Sequence, residues 1–138
     1  MSTAIDTTVT GRFDLTAWDE ETYSDEGGVR LVAASNAKTF EGGITGTSTT
    51  RLLQALAREG SAAYVGIELV TATVDGRAGT FVLQHSAVGS TRGGTFSVAV
   101  VPDSGTGELA GIGGELAIAK ADDGEHTYTF TYRWASQQ

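Results

Sequence analysis

Glu68 and His85 are the residues of this 138-residue chain whose type and setting best fit chemistry. Each is a polar residue inside an apolar run: Val65-Gly66-Ile67-Glu68-Leu69-Val70 and Phe81-Val82-Leu83-Gln84-His85. A carboxylate beside an imidazole forms an acid/base pair, because burial and pairing tune both groups toward neutral pH. Tyr64 has the strand parity of Glu68 and would add a hydroxyl donor. Proton transfer, or polarisation of a carbonyl, is the chemistry open to such a set. The plainer alternative is a structural pair satisfied by its own hydrogen bonds. Ser86 follows His85 directly and so faces the other way, and the chain has no Gly-x-Ser-x-Gly elbow. A Ser–His hydrolase is therefore disfavoured.

These residues act together only if the chain pairs their strands. Asp75-Gly76 is the clearest hairpin signal in the sequence and makes the two apolar runs antiparallel neighbours. With a two-residue loop Gly66 faces His85; with a loop two residues longer Glu68 faces His85. Both registers leave the two side chains on one face, directly opposite or diagonal. The rest of the chain reads the same way. Nineteen glycines, many threonines and valines and a single proline describe an antiparallel β protein. Alternating runs bounded by turn residues predict strands over 9–17, 29–40, 44–57, 62–74, 80–88, 95–101, 116–120 and 127–134. Arg51 to Ala57 has good helix propensity but is short and lies between β-rich runs, so it is read as strand. Glycines inside the strands at Gly11, Gly46, Gly66 and Gly94 favour a barrel over a sandwich, since bends and crowding need small residues.

The fold expected is thus all-β: one eight-stranded antiparallel β-barrel, mostly hairpin-linked, spanning residues 1–138. Within it, Tyr128, Phe130, Tyr132 and Trp134 make an aromatic stripe at strand spacing. Core packing explains most such stripes, and the wall of a pocket for an apolar or aromatic ligand is the alternative. Trp18 would stand at a barrel mouth beside the acidic run Asp14 to Glu26, itself expected to be a solvated loop. Lys38 and Arg30 share one parity; facing inward, either could bind a ligand anion, but both are expected at the surface. His126 follows a turn and is expected to be solvated.

Charge and composition narrow the function. At a formal net charge of −8 with no basic cluster, nucleic-acid binding is not expected. The absence of cysteine removes disulfides and thiolate metal sites. Two distant histidines without a defined carboxylate constellation do not make a metal site, so no metal is expected. No run has the length of a membrane span or the form of a signal peptide, and a soluble cytoplasmic protein is the expectation.

Gly105-Thr106-Gly107-Glu108-Leu109-Ala110-Gly111-Ile112-Gly113-Gly114 places glycine among apolar residues, unlike a polar linker. A dinucleotide-binding loop must open a helix, and the glycines that follow Gly107 disfavour one. The stretch resembles the late glycine motif of allene oxide cyclase and dirigent-type barrels. The chain is more similar still to a bacterial family, domain of unknown function 3224. That likeness is carried by Phe13 to Trp18, Lys38-Thr39-Phe40, Gly46-Thr47-Ser48, Tyr64 to Gly76, Phe81 to Ser86 and the glycine motif. The resemblance implies an eight-stranded antiparallel barrel whose lumen holds a small apolar molecule, in a fold whose relatives run cofactor-free cyclisations or steer radical coupling. Three functions are then open: a cofactor-independent isomerase or cyclase acting on a flexible hydrophobic metabolite through Glu68 and His85, a non-catalytic binding module, and a purely structural barrel. Relatives that oligomerise, and exposed edges before closure, point to a homodimer. Gly111 or Gly113 is expected to take a backbone conformation costly for other residues, at a tight bend that helps close the barrel.

Overall fold

In the computed structural model, which describes residues 5–135, the chain winds eight antiparallel strands into one closed barrel in sequence order. They are β1 (Thr7–Glu26), β2 (Val29–Gly42), β3 (Ile44–Leu56), β4 (Ala62–Val74), β5 (Arg77–Ser90), β6 (Gly93–Val100), β7 (Ile112–Lys120) and β8 (His126–Trp134). β1 pairs with β8, so no edge is left open. Turn chemistry accounts for the links: Gly27-Gly28 joins β1 to β2, Asp75-Gly76 joins β4 to β5, and Asp75 and all three glycines take positive φ there. The segment Arg51 to Leu56 is strand, because pairing with both neighbours outweighs its helix propensity. The remaining seam is thin: β6 and β7 share one registered pair, Ala99 with Glu115. Among the described residues no helix is long and apolar enough to cross a membrane.

The acidic run is not a loop. Asp14 to Glu26 forms the second half of β1, paired with β2 from Asp14↔Thr39 to Glu26↔Val29. Its acid side chains remain exposed, so solvation and strand pairing coexist. Two bulges interrupt it, at Thr16 and at Tyr23, where the register slips by one residue. An extra residue re-aims everything after it. Leu15 stands opposite Lys38 and Trp18 opposite Asn36, so both turn toward the lumen, and Ala17 does not continue the alternation that begins at Val9.

Inside, the barrel is layered along its axis. One half is an apolar core built around Phe40, Ile44, Val70, Val74, Phe81, Leu83, Val98, Phe130 and Tyr132. A smaller cluster of Val32, Ala34 and Leu52, flanked by Leu56 and Tyr64, lies toward the other end. Between them runs a belt of buried polar side chains: Asn36, Lys38, Ser48, Thr50, Glu68 and His85.

The glycine-rich stretch closes the core end. It forms a short 3₁₀ turn, Gly107–Leu109, that seats Leu109 fully buried in the core. Thr106 N–H donates to the Thr80 carbonyl, and Glu108 accepts from Ala78 N–H, so the segment is stitched to the start of β5. Gly111 takes φ 87°, a left-handed conformation that costs other residues about 1–2 kcal/mol. Gly113 does not. The expected bend is there, but it serves a plug over one end of the barrel, with β7 starting only after it.

Candidate functional site

The β4–β5 hairpin takes the two-residue loop, which puts Gly66 opposite His85. Glu68 is therefore the diagonal neighbour of His85 on the inner face, and Tyr64 the diagonal neighbour on the other side. Gly66 stands between them without a side chain, against Leu52, whose Cβ would lie 3.0 Å from a Cβ placed there.

Four strands converge on the Glu68 carboxylate, which is 0% exposed. His85 Nε2 lies 2.6 Å from Oε1, Lys38 Nζ donates to the same oxygen at 3.4 Å, and the Ser48 hydroxyl donates to Oε2 at 2.6 Å. Lys38 and Ser48 are themselves cross-strand partners, and Thr50 faces Glu68 directly. Burial pushes the Glu68 carboxyl up, but the His85 hydrogen bond, the Lys38 charge and the Ser48 hydroxyl together hold it below the usual carboxylate range. An ionised carboxylate only accepts, so His85 carries its proton on Nε2. In the neutral ring Nδ1 is then left as an acceptor, with the Tyr64 hydroxyl 3.4 Å away. Burial, and next the Glu68 charge, push the Tyr64 phenol up, which keeps it a donor. The result is an ordered chain, Tyr64 to His85 to Glu68, in which the carboxylate orients the imidazole and leaves Nδ1 as the proton-accepting atom.

A cavity of about 210 Å³ opens beside this network. Its polar wall is Asn36, Lys38, Thr50, Gln54, Tyr64, His85 and His126; its apolar wall is Phe13, Leu15, Trp18, Leu52, Phe96 and Ile118. Trp18 and Phe96 are each about half exposed, which marks the mouth. The Asn36 Oδ1 and Thr50 Oγ1 atoms are fully buried and have no hydrogen-bond partner within the described residues. Native interiors seldom leave such groups unpaired.

The structure brings Glu68, His85, Tyr64 and Trp18 to one place. It does not bring Tyr128, Phe130 and Tyr132 there: all three are buried in the apolar core and none lines the cavity. Their inward parity is as expected, but β8 enters the barrel at the cavity end with His126 and carries its aromatic residues onward into the core. Tyr128 accepts from Ile44 N–H and donates to the Glu41 carbonyl, clasping the β2–β3 turn. Lys38 is a correction of the opposite kind. It is 7% exposed rather than superficial, because Glu68 supplies a buried counter-charge and Phe13 a ring face 4.7 Å from its Nζ. Arg30, its parity partner, stays partly exposed near Glu20 and Thr22. His126 is half-buried and stacks on Phe13 at 5.0 Å, instead of standing free in solvent. Ser86 faces outward, as expected. Among the described residues no group of three or more His, Asp or Glu side chains converges as a metal site.

Fold and site together define a closed, eight-stranded antiparallel barrel, plugged at one end, with a buried polar network beside a half-open cavity. Residues 9–132 match the family described as Protein of unknown function (DUF3224), and the chain belongs to that family. A crystal structure of a protein with unknown function from the DUF3224 family of Shewanella oneidensis MR-1 is 38% identical, with a TM-score of 0.89 over 96% of this chain and 100% of that one. No curated protein matches.

Proposed function

We propose that the barrel is a small-molecule-binding protein whose ligand enters the Trp18–Phe96 mouth and rests on the polar belt. One observation carries the reading: Asn36 and Thr50, which both line the cavity, each enclose a polar atom, Oδ1 and Oγ1, that has no partner among the described residues. A purely structural barrel would gain by pairing or replacing them, since an unsatisfied buried group costs about 1–3 kcal/mol. Cavity size limits the guest. A pocket of about 150 Å³ holds one benzene, so about 210 Å³ suits a single substituted ring. A long flexible chain, as the cyclase reading supposes, would project far beyond the mouth.

A second reading adds proton transfer. It is supported by the alignment of Tyr64, His85 Nδ1 and Glu68, which resembles an oriented general base. Isomerisation without a cofactor is the reaction class it suits. The likeness to allene oxide cyclase and dirigent-type barrels belongs to this proposal and rests on the glycine motif and the eight-stranded closure. So does the homodimer, for which the outer face offers Leu53, Val65 and Ile67, each about half exposed; sedimentation equilibrium tests it.

The binding reading is tested by titrating ¹⁵N-labelled protein with toluene. Shifts confined to cavity-lining residues, including the Trp18 indole N–H, are expected. No shift up to toluene saturation, or shifts only at Leu53, Val65 and Ile67 on the outer face, would remove it.

A further inference from the structure

The polar wall constrains what the ligand must carry. Among the described residues, Lys38 uses one of its three N–H donors, in a hydrogen bond to Glu68. No donor among them reaches the Asn36 Oδ1 and Thr50 Oγ1 atoms, and both residues are at least nine-tenths buried. Asn36 and Thr50 are direct cross-strand partners, and Lys38 lies two residues from Asn36 on the same face of β2. That spacing is about 7 Å along a strand, which the long lysine arm shortens. With the Asn36 and Thr50 side chains turned so that their enclosed oxygens face the cavity, one ligand atom that both accepts and donates satisfies the two sides at once.

Charge selects among such groups. Lys38 and Glu68 cancel within the belt, so a neutral ligand leaves the buried charge balanced. A carboxylate would add an uncompensated charge unless a proton were taken up with it. An ammonium would face Lys38 directly. A hydroxyl both donates and accepts at no charge cost. The remaining wall is rich in flat rings, with Phe13, Trp18, Tyr64, Phe96 and His126 around the space, and rings of this kind pack well on an aromatic or cyclic guest.

Resting on the binding reading above, we propose that the pocket takes a neutral single-ring compound bearing one hydroxyl, a phenol or cyclic alcohol. Its oxygen accepts from Lys38 Nζ and its proton goes to the Asn36–Thr50 pair. The ring lies between Phe13 and the Trp18–Phe96 mouth.

Three probes of matched size separate the possibilities: p-cresol, toluene and 4-methylbenzoate, each titrated by NMR against the wild-type protein and against Asn36→Ala/Thr50→Val. For the wild type, p-cresol is expected to bind roughly tenfold or more tighter than toluene, the span of a hydrogen bond to a charged donor, with 4-methylbenzoate weakest. In the double variant the p-cresol advantage is expected to shrink severalfold while toluene binding persists, which also verifies that the variant is folded. Equal affinity for p-cresol and toluene in the wild type overturns the hydroxyl assignment but leaves the pocket. Tightest binding of 4-methylbenzoate overturns the neutral class. An undiminished advantage in the folded variant overturns the role of Asn36 and Thr50. Failure of all three probes to perturb the cavity overturns the binding reading itself.

Discussion

Replacing Lys38 by Met tests whether the polar belt is an ionised network. Lys38 is buried, and its ammonium lies 3.4 Å from the Glu68 carboxylate. Methionine replaces the aliphatic arm and removes the ammonium, so the packing of the arm changes little. Removing one member of a buried pair typically costs about 3–5 kcal/mol, because the other is left uncompensated. Here Ser48 and His85 still hold the carboxylate, which places the expected loss at the lower end, about 3 kcal/mol at pH 7. Urea unfolding at pH 7 and pH 4 measures it. Glu68 is held below the ordinary carboxylate range in the folded protein, so its contribution to stability is complete above that range. It is lost as pH falls through the depressed folded value. Without Lys38 the depression weakens, so wild type and variant should converge as the pH is lowered. A Lys38→Met protein within about 0.5 kcal/mol of wild type at pH 7, the range of ordinary surface substitutions, would refute the argument that Lys38 and Glu68 form a buried ionised pair. So would a stability gap that widens in acid.

Thr50→Val, which keeps shape and removes the unpaired hydroxyl, is expected to raise ligand-free stability by about 1 kcal/mol, read as a higher urea midpoint at unchanged slope. Gly111→Ala should lower stability by about 1–2 kcal/mol because of the left-handed backbone there, and Gly113→Ala by much less, both measured by thermal unfolding. Hydrogen exchange should be fastest, among paired strands, along the β6–β7 seam, where a single registered pair joins the strands, and slowest in β3, β4 and the core half of β5.

Much of this architecture was legible because turn residues punctuate the chain and hairpins bind neighbours in sequence. Asp75-Gly76 alone settled that Glu68 and His85 share a face, whichever loop length the chain adopted. What escaped the sequence was height and direction. Tyr128, Phe130 and Tyr132 have the inward parity expected of them, but period two says nothing of position along the barrel axis. β4 is misleading in its middle: Ile67 and Leu69 point out and Glu68 points in, an inversion visible only by carrying the parity back from Val70, Ala72 and Val74. The same extension would have found Asn36 and Lys38 from Val32, Ala34 and Phe40, and Ser48 and Thr50 from Ile44 and Leu52. A lone lysine defaults to the surface, and its partner lies thirty positions away in sequence, so no local signal marks the pair. The bulge at Thr16, which turns Trp18 inward, is likewise set by pairing with β2 rather than by residue type.

The central claim is that the space between the polar belt and the Trp18–Phe96 mouth is a ligand site. Intermolecular nuclear Overhauser effects from p-cresol bound to the wild-type protein test it most directly. The ring protons should show contacts to Phe13, Trp18 and Ile118, all on the cavity wall. Contacts confined to Leu53, Val65 and Ile67 on the outer face, or no contacts at saturating p-cresol, would contradict it.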